Sequence, residues 1–117
     1  MLVWTNAAFL PAALVAWHKD LFFAAFAYTC LLFASALYHA FAERQFSALD
    51  RACAYTVMGW NTYVFITCFG VLSLTGAVFA AIALCTYALA RRHSYRKWHS
   101  VWHVLSGCAG LSFVLAA

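Results

Sequence analysis

Apolar residues run along this chain in long blocks, separated by short clusters that hold nearly every charge. The blocks are Leu2 to Trp17, Leu21 to Ala42, Ala52 to Ala90 and His99 to Ala117. A membrane-crossing helix uses about 20 residues, so the third block is too long for one crossing and fits two joined by a tight turn. Gly70, Ser73, Thr75 and Gly76 supply the turn chemistry. The pattern predicts an all-α fold, a single transmembrane bundle over residues 1–117, with helices at 2–17, 21–42, 51–69, 73–91 and 98–117. The first is short for a span and contains Asn6 and Pro11, features that favour tilting or local thinning of the bilayer.

Composition sharpens this into a class. Of the 117 residues 68% are hydrophobic and only 9% are charged, against about a quarter charged in soluble domains. That balance excludes a soluble domain, a disordered chain and a nucleic-acid module. Cys30, Cys53, Cys68, Cys85 and Cys108 are odd in number, contain no C-x-x-C and lie in or between apolar blocks, so they read as free thiols. The first charge is Lys19, after the first apolar run, which argues against a cleaved signal peptide.

The charges also sort by side. If the helices alternate, Arg44, Arg51, Arg91, Arg92, Arg96 and Lys97 share one side, while the other carries only Lys19. The positive-inside rule then puts the basic side in the cytoplasm, with the N-terminus inside and the C-terminus outside.

Polar residues inside the spans carry the candidate chemistry, because ionisable groups in a bundle are costly and tend to face partners or mark function. Helix two ends in S-A-L-Y-H, with Ser35 and His39 four residues apart on one face. Helix five begins W-H-S-V-W-H, which gives His99 and His103 the same spacing, and Asp50 opens helix three. All five fall on the basic side. Three imidazoles from two helices match a catalytic zinc site with an open fourth position. The late pair is H-x-x-x-H rather than H-E-x-x-H, so a general base has to come from elsewhere. Asp50 is the favoured carboxylate, with Glu43 as the alternative, and Ser35 can hydrogen-bond water or an oxyanion. His18 and His93 stand in charged connections and read as solvated.

Taken singly, each of these residues has an ordinary structural explanation, such as an interhelical hydrogen bond for His39 or an interfacial ion pair for Asp50 and Arg51. Spacing alone also leaves open a haem held by two histidines.

The order S-x-x-x-H, then aspartate eleven residues after that histidine, then H-x-x-x-H resembles the CREST superfamily of membrane hydrolases, which includes alkaline ceramidases and the adiponectin and progestin receptors. T-N-A-A-F-L-P-A, F-A-S-A-L-Y-H and W-H-S-V-W-H-V are most similar to the branch holding myomaker and the GPI-processing phospholipase A. The resemblance implies His39, His99 and His103 as Zn2+ ligands, with Ser35 and Asp50 completing a hydrolytic centre that acts on a membrane lipid. It also implies an N-terminus outside, opposite to the charge count.

The chain departs from that pattern in three places. Family members have seven helices where this pattern gives five, and the absent pair would line the lipid cavity, which makes a homo-oligomer more plausible. Ala40 and Phe41 stand where the branch commonly has Cys-Asp after its first histidine. Arg51 stands where it has phenylalanine. The reading expected is a zinc-dependent lipid hydrolase of ester or amide bonds. The alternatives are a non-enzymatic fusion or signalling factor with structural zinc, and a haem protein.

Overall fold

The computed structural model describes residues 2–117, all of them helical apart from short connections. The helices are α1 (Leu2–Thr5), α2 (Leu10–His18), α3 (Phe22–Phe41), α4 (Arg44–Thr67), α5 (Val71–Arg92) and α6 (Tyr95–Ala116). The all-α bundle expected from the sequence is present. Helices α3, α5 and α6 are each long and apolar enough to cross a membrane, and the chain is a multi-pass membrane protein.

The first predicted helix is broken. A 3-10 turn at Asn6–Phe9 separates α1 from α2, and Pro11 lies at the first turn of α2. Proline has no N–H to give to the carbonyl four residues back and its ring crowds that carbonyl, so a continuous helix cannot run through this point.

Helix α4 starts at Arg44, seven residues before the expected start at 51. Asp50 therefore lies within α4, not at its opening, and residues 44–50, which the expected bounds leave between helices, are helical. The real connection is Ala42 and Glu43. Ala42 adopts a left-handed conformation (φ 53°) and its N–H bonds the Tyr38 carbonyl, which terminates α3. Arg44, Asp50 and Arg51 do not end the helix but lie within its first turns, since a helix end at the membrane surface readily carries charges.

The α4–α5 turn lies two residues earlier than expected. Cys68 to Gly70 suffice, and α5 begins at Val71. The Ser73 hydroxyl accepts from the Gly70 N–H at 2.8 Å and donates to the Gly70 carbonyl at 3.0 Å, so Ser73 caps the helix instead of forming the turn. Thr75 and Gly76 belong to the helix.

Helices α5 and α6 form the most closely packed pair, α3 and α4 the next, and α4 and α5 scarcely touch. The bundle is thus two helical pairs, with the α1–α2 segment seated against α3 and α6. Small residues make the close approaches: Ala12, Ala16, Ala24 and Ala25 are fully buried, and a Cβ on Gly107 would overlap the Ala8 carbonyl. Close backbone packing of this kind holds helices together where lipid removes the hydrophobic drive between them. Phe22, Phe26, Phe33, Ile66 and Val71 face outward, as lipid-facing residues do.

Two polar ties agree with the alternation of helix ends. Lys19 Nζ donates to the carbonyls of Val114 and Leu115 at 3.0 and 3.1 Å, capping the C-terminus of α6 with a positive charge. Thr5 meets His103 near the opposite end of α6.

Candidate metal centre

His39 lies in the last turn of α3, and His99 and His103 occupy successive turns near the start of α6. Four-residue spacing puts the α6 pair on one face, and that face turns inward, so that His103 is completely buried and His99 nearly so. One ring nitrogen from each of the three histidines lies within 4.8 Å of the others. The ring centroids are 5.0 Å apart for His39 and His99, 5.1 Å for His39 and His103, and 4.6 Å for His99 and His103.

Each ring also holds a buried nitrogen that has no hydrogen-bond partner: His39 Nε2, His99 Nδ1 and His103 Nε2. Leaving such a group unsatisfied costs about 1–3 kcal/mol, and three together are hard to reconcile with a purely structural cluster. The donor set fits a metal ion. A tetrahedral ion at about 2.0–2.1 Å from each nitrogen would set them roughly 3.3 Å apart, inside the 4.8 Å within which they lie. The edge contacts among all three rings leave no slot for a flat macrocycle between any two, which disfavours haem.

Neighbouring groups hold the rings in place. Thr5 Oγ1 lies 2.9 Å from His103 Nδ1. Tyr95 stacks on His99 at 4.6 Å, and Trp102 packs against both His99 and His103. Neither Thr5 nor Tyr95 stands out in the sequence, since one lies in an apolar block and the other in a basic loop. Trp102 walls the site.

Ser35 lies one turn before His39 on α3 and Asp50 shares a cavity with His99, but neither is among the three clustered groups. Ser35 is buried and lines the same cleft as Asp50. Asp50 sits where two cavities meet. One, near the surface, is lined by Asp50 and His99. The other is an apolar cleft between the two helix pairs, lined by Ser35, Asp50, Leu31, Val57, Met58 and Leu84. Trp102 borders both.

Glu43 lies away from this junction, at a shallow surface depression with Arg44 and Gln45, and its carboxylate accepts from Gln45 Nε2 at 3.0 Å. Of the two carboxylates, Asp50 shares a cavity with His99 and Glu43 does not. The five cysteines are all free.

Residues 1–75 match the model of a family described as a protein of unknown function, DUF3522. The matched segment includes Thr5, Ser35, His39 and Asp50 and stops before the late histidine pair. No curated protein and no solved structure matches the chain.

Proposed function

Since the chain belongs to the DUF3522 family, whose function is unknown, its chemistry has to be argued from its own residues, and we propose that it is a zinc-dependent hydrolase of a membrane lipid, cleaving an ester or amide bond. The observation that carries the reading is the cluster of three histidines, each with a buried and unpartnered ring nitrogen, one of which shares a cavity with the Asp50 carboxylate at the head of an apolar cleft. The order of serine, histidine, aspartate and paired histidines shared with the CREST membrane hydrolases supports it.

His39, His99 and His103 would hold the ion. A zinc ion bound there supplies Lewis acidity and lowers the pKa of water in its open position toward about 7.

The rest falls to the chain's own side chains. Hydrolysis adds water across the scissile bond: oxygen joins the carbonyl carbon, and the alcohol or amine departs with a proton. Asp50, sharing a cavity with His99, takes the proton from water and returns it to the leaving group. Ser35 orients the Asp50 carboxylate and can donate to the oxygen that gains charge. The cleft walled by Leu31, Val57, Met58 and Leu84 receives the lipid chain from the side, so the tail never crosses water.

The test uses purified protein in mixed micelles carrying either a diacyl phospholipid or an N-acyl sphingosine, with released fatty acid as the readout. Asp50→Asn should retain zinc while turnover falls by about 10²–10⁴-fold. Full turnover in that variant, or none by wild-type protein on either lipid class, would overturn the proposal.

A further inference from the structure

The cavity nearer the membrane surface has a feature that the proposed hydrolysis does not use. Arg51, in the second turn of α4, and Arg91, in the last turn of α5, both line it, although these two helices scarcely touch. Tyr38, Tyr55, Tyr87 and Tyr95 complete its rim. Among the described residues neither guanidinium makes a hydrogen bond to the protein.

Two like charges aimed into one concavity repel each other, more strongly near a low-dielectric bilayer than in water. Asp50, beside Arg51 and on the same cavity wall, offsets one of them, which leaves an excess positive charge. Arginine presents a planar fork of donors that matches a phosphate in two-point contact, and tyrosine hydroxyls add further donors.

We propose that this cavity binds the phosphate of a lipid headgroup, gripped between Arg51 and Arg91. As an account of which lipid is cleaved, this rests on the hydrolase reading above; as a binding site, it is testable without turnover. The headgroup would sit over Asp50 and His99, and the chain would enter the adjoining cleft, so one molecule would occupy both cavities.

Basic residues at a membrane surface attract anionic lipid in any case, each by about 1 kcal/mol, so the control has to be a neighbour of equal charge. Arg92 follows Arg91 directly but does not line the cavity. The full chain in neutral detergent micelles is titrated with dioleoyl phosphatidic acid, dioleoylglycerol or inorganic phosphate, and bound lipid is counted by native mass spectrometry. The expectation is that phosphatidic acid binds at least about tenfold tighter than dioleoylglycerol, that Arg51→Gln and Arg91→Gln each weaken it by about tenfold, and that Arg92→Gln changes it by less than about twofold.

Equal losses in Arg91→Gln and Arg92→Gln would reduce the effect to diffuse surface charge and overturn the site. Displacement of phosphatidic acid by inorganic phosphate at equal concentration would make a free anion the ligand and overturn the headgroup assignment. Zinc measured in the same samples separates the two proposals, because a failed headgroup site with zinc retained leaves the metal reading intact.

Discussion

Thr5 and His103, separated by 98 positions in sequence, are joined through Thr5 Oγ1 and His103 Nδ1 at 2.9 Å. The contact fixes which nitrogen of His103 is available. When Nδ1 carries its proton and the threonine oxygen accepts, Nε2 is left with its lone pair, and Nε2 is the nitrogen that is buried and unpartnered. Outer partners of this kind orient ligating histidines, and their loss typically costs 10–100-fold in metal affinity. Thr5→Val should therefore weaken zinc binding by about that factor, while Thr5→Ser, which keeps the oxygen, should stay near wild type. Competition with a fluorescent chelator measures both, and equal affinities for all three proteins would remove Thr5 from the site.

The position of Thr5 depends on packing farther along the same segment. Gly107 of α6 allows the 3-10 turn to approach so closely that a Cβ would overlap the Ala8 carbonyl. Backbone cannot swing aside as a side chain can. Gly107→Val should displace the N-terminal segment and destabilise the fold by about 1–3 kcal/mol, and it should weaken zinc binding in the same direction as Thr5→Val. Thermal melting in detergent, read beside zinc affinity, tests this. A variant with unchanged melting and affinity would contradict the packing described.

A second interhelical tie lies deeper in the bundle, where the fully buried Tyr28 donates its hydroxyl to Asn61 Oδ1 at 2.6 Å. It joins α3 to α4, the helix that carries Asp50. Interhelical hydrogen bonds in membranes average about 0.6 kcal/mol and reach about 1.7, so Tyr28→Phe should lower stability within that range and leave zinc content unchanged. A drop in zinc per chain would show that this bond supports the metal centre directly.

The three clustered histidines are easier to read from the sequence than the backbone that places them. His39, His99 and His103 stand out because imidazoles are conspicuous in apolar helices, and four-residue spacing dictates a shared face whatever the rest of the fold does. The start of the helix that holds Asp50 is not legible in the sequence, because the rule that charges end helices fails where a helix end reaches the membrane surface with Arg44 and Arg51 on it. Thr5 was passed over for a related reason. A lone threonine in an apolar block has no pattern, and only the break at Pro11 and the small side of Gly107 bring it to His103. The gap between α4 and α5 that opens both cavities is a property of packing, and no periodicity in either helix announces it.

The function of Asp50 and the presence of the metal are separable, and the metal comes first. Elemental analysis of the purified wild type, with His39→Ala and the His99→Ala/His103→Ala double variant prepared in parallel, is the most direct test of the account. Three histidines with nitrogens within 4.8 Å predict about one zinc per chain in the wild type and a clear loss in both variants. Wild-type protein without zinc, or undiminished zinc in the double variant, would contradict it.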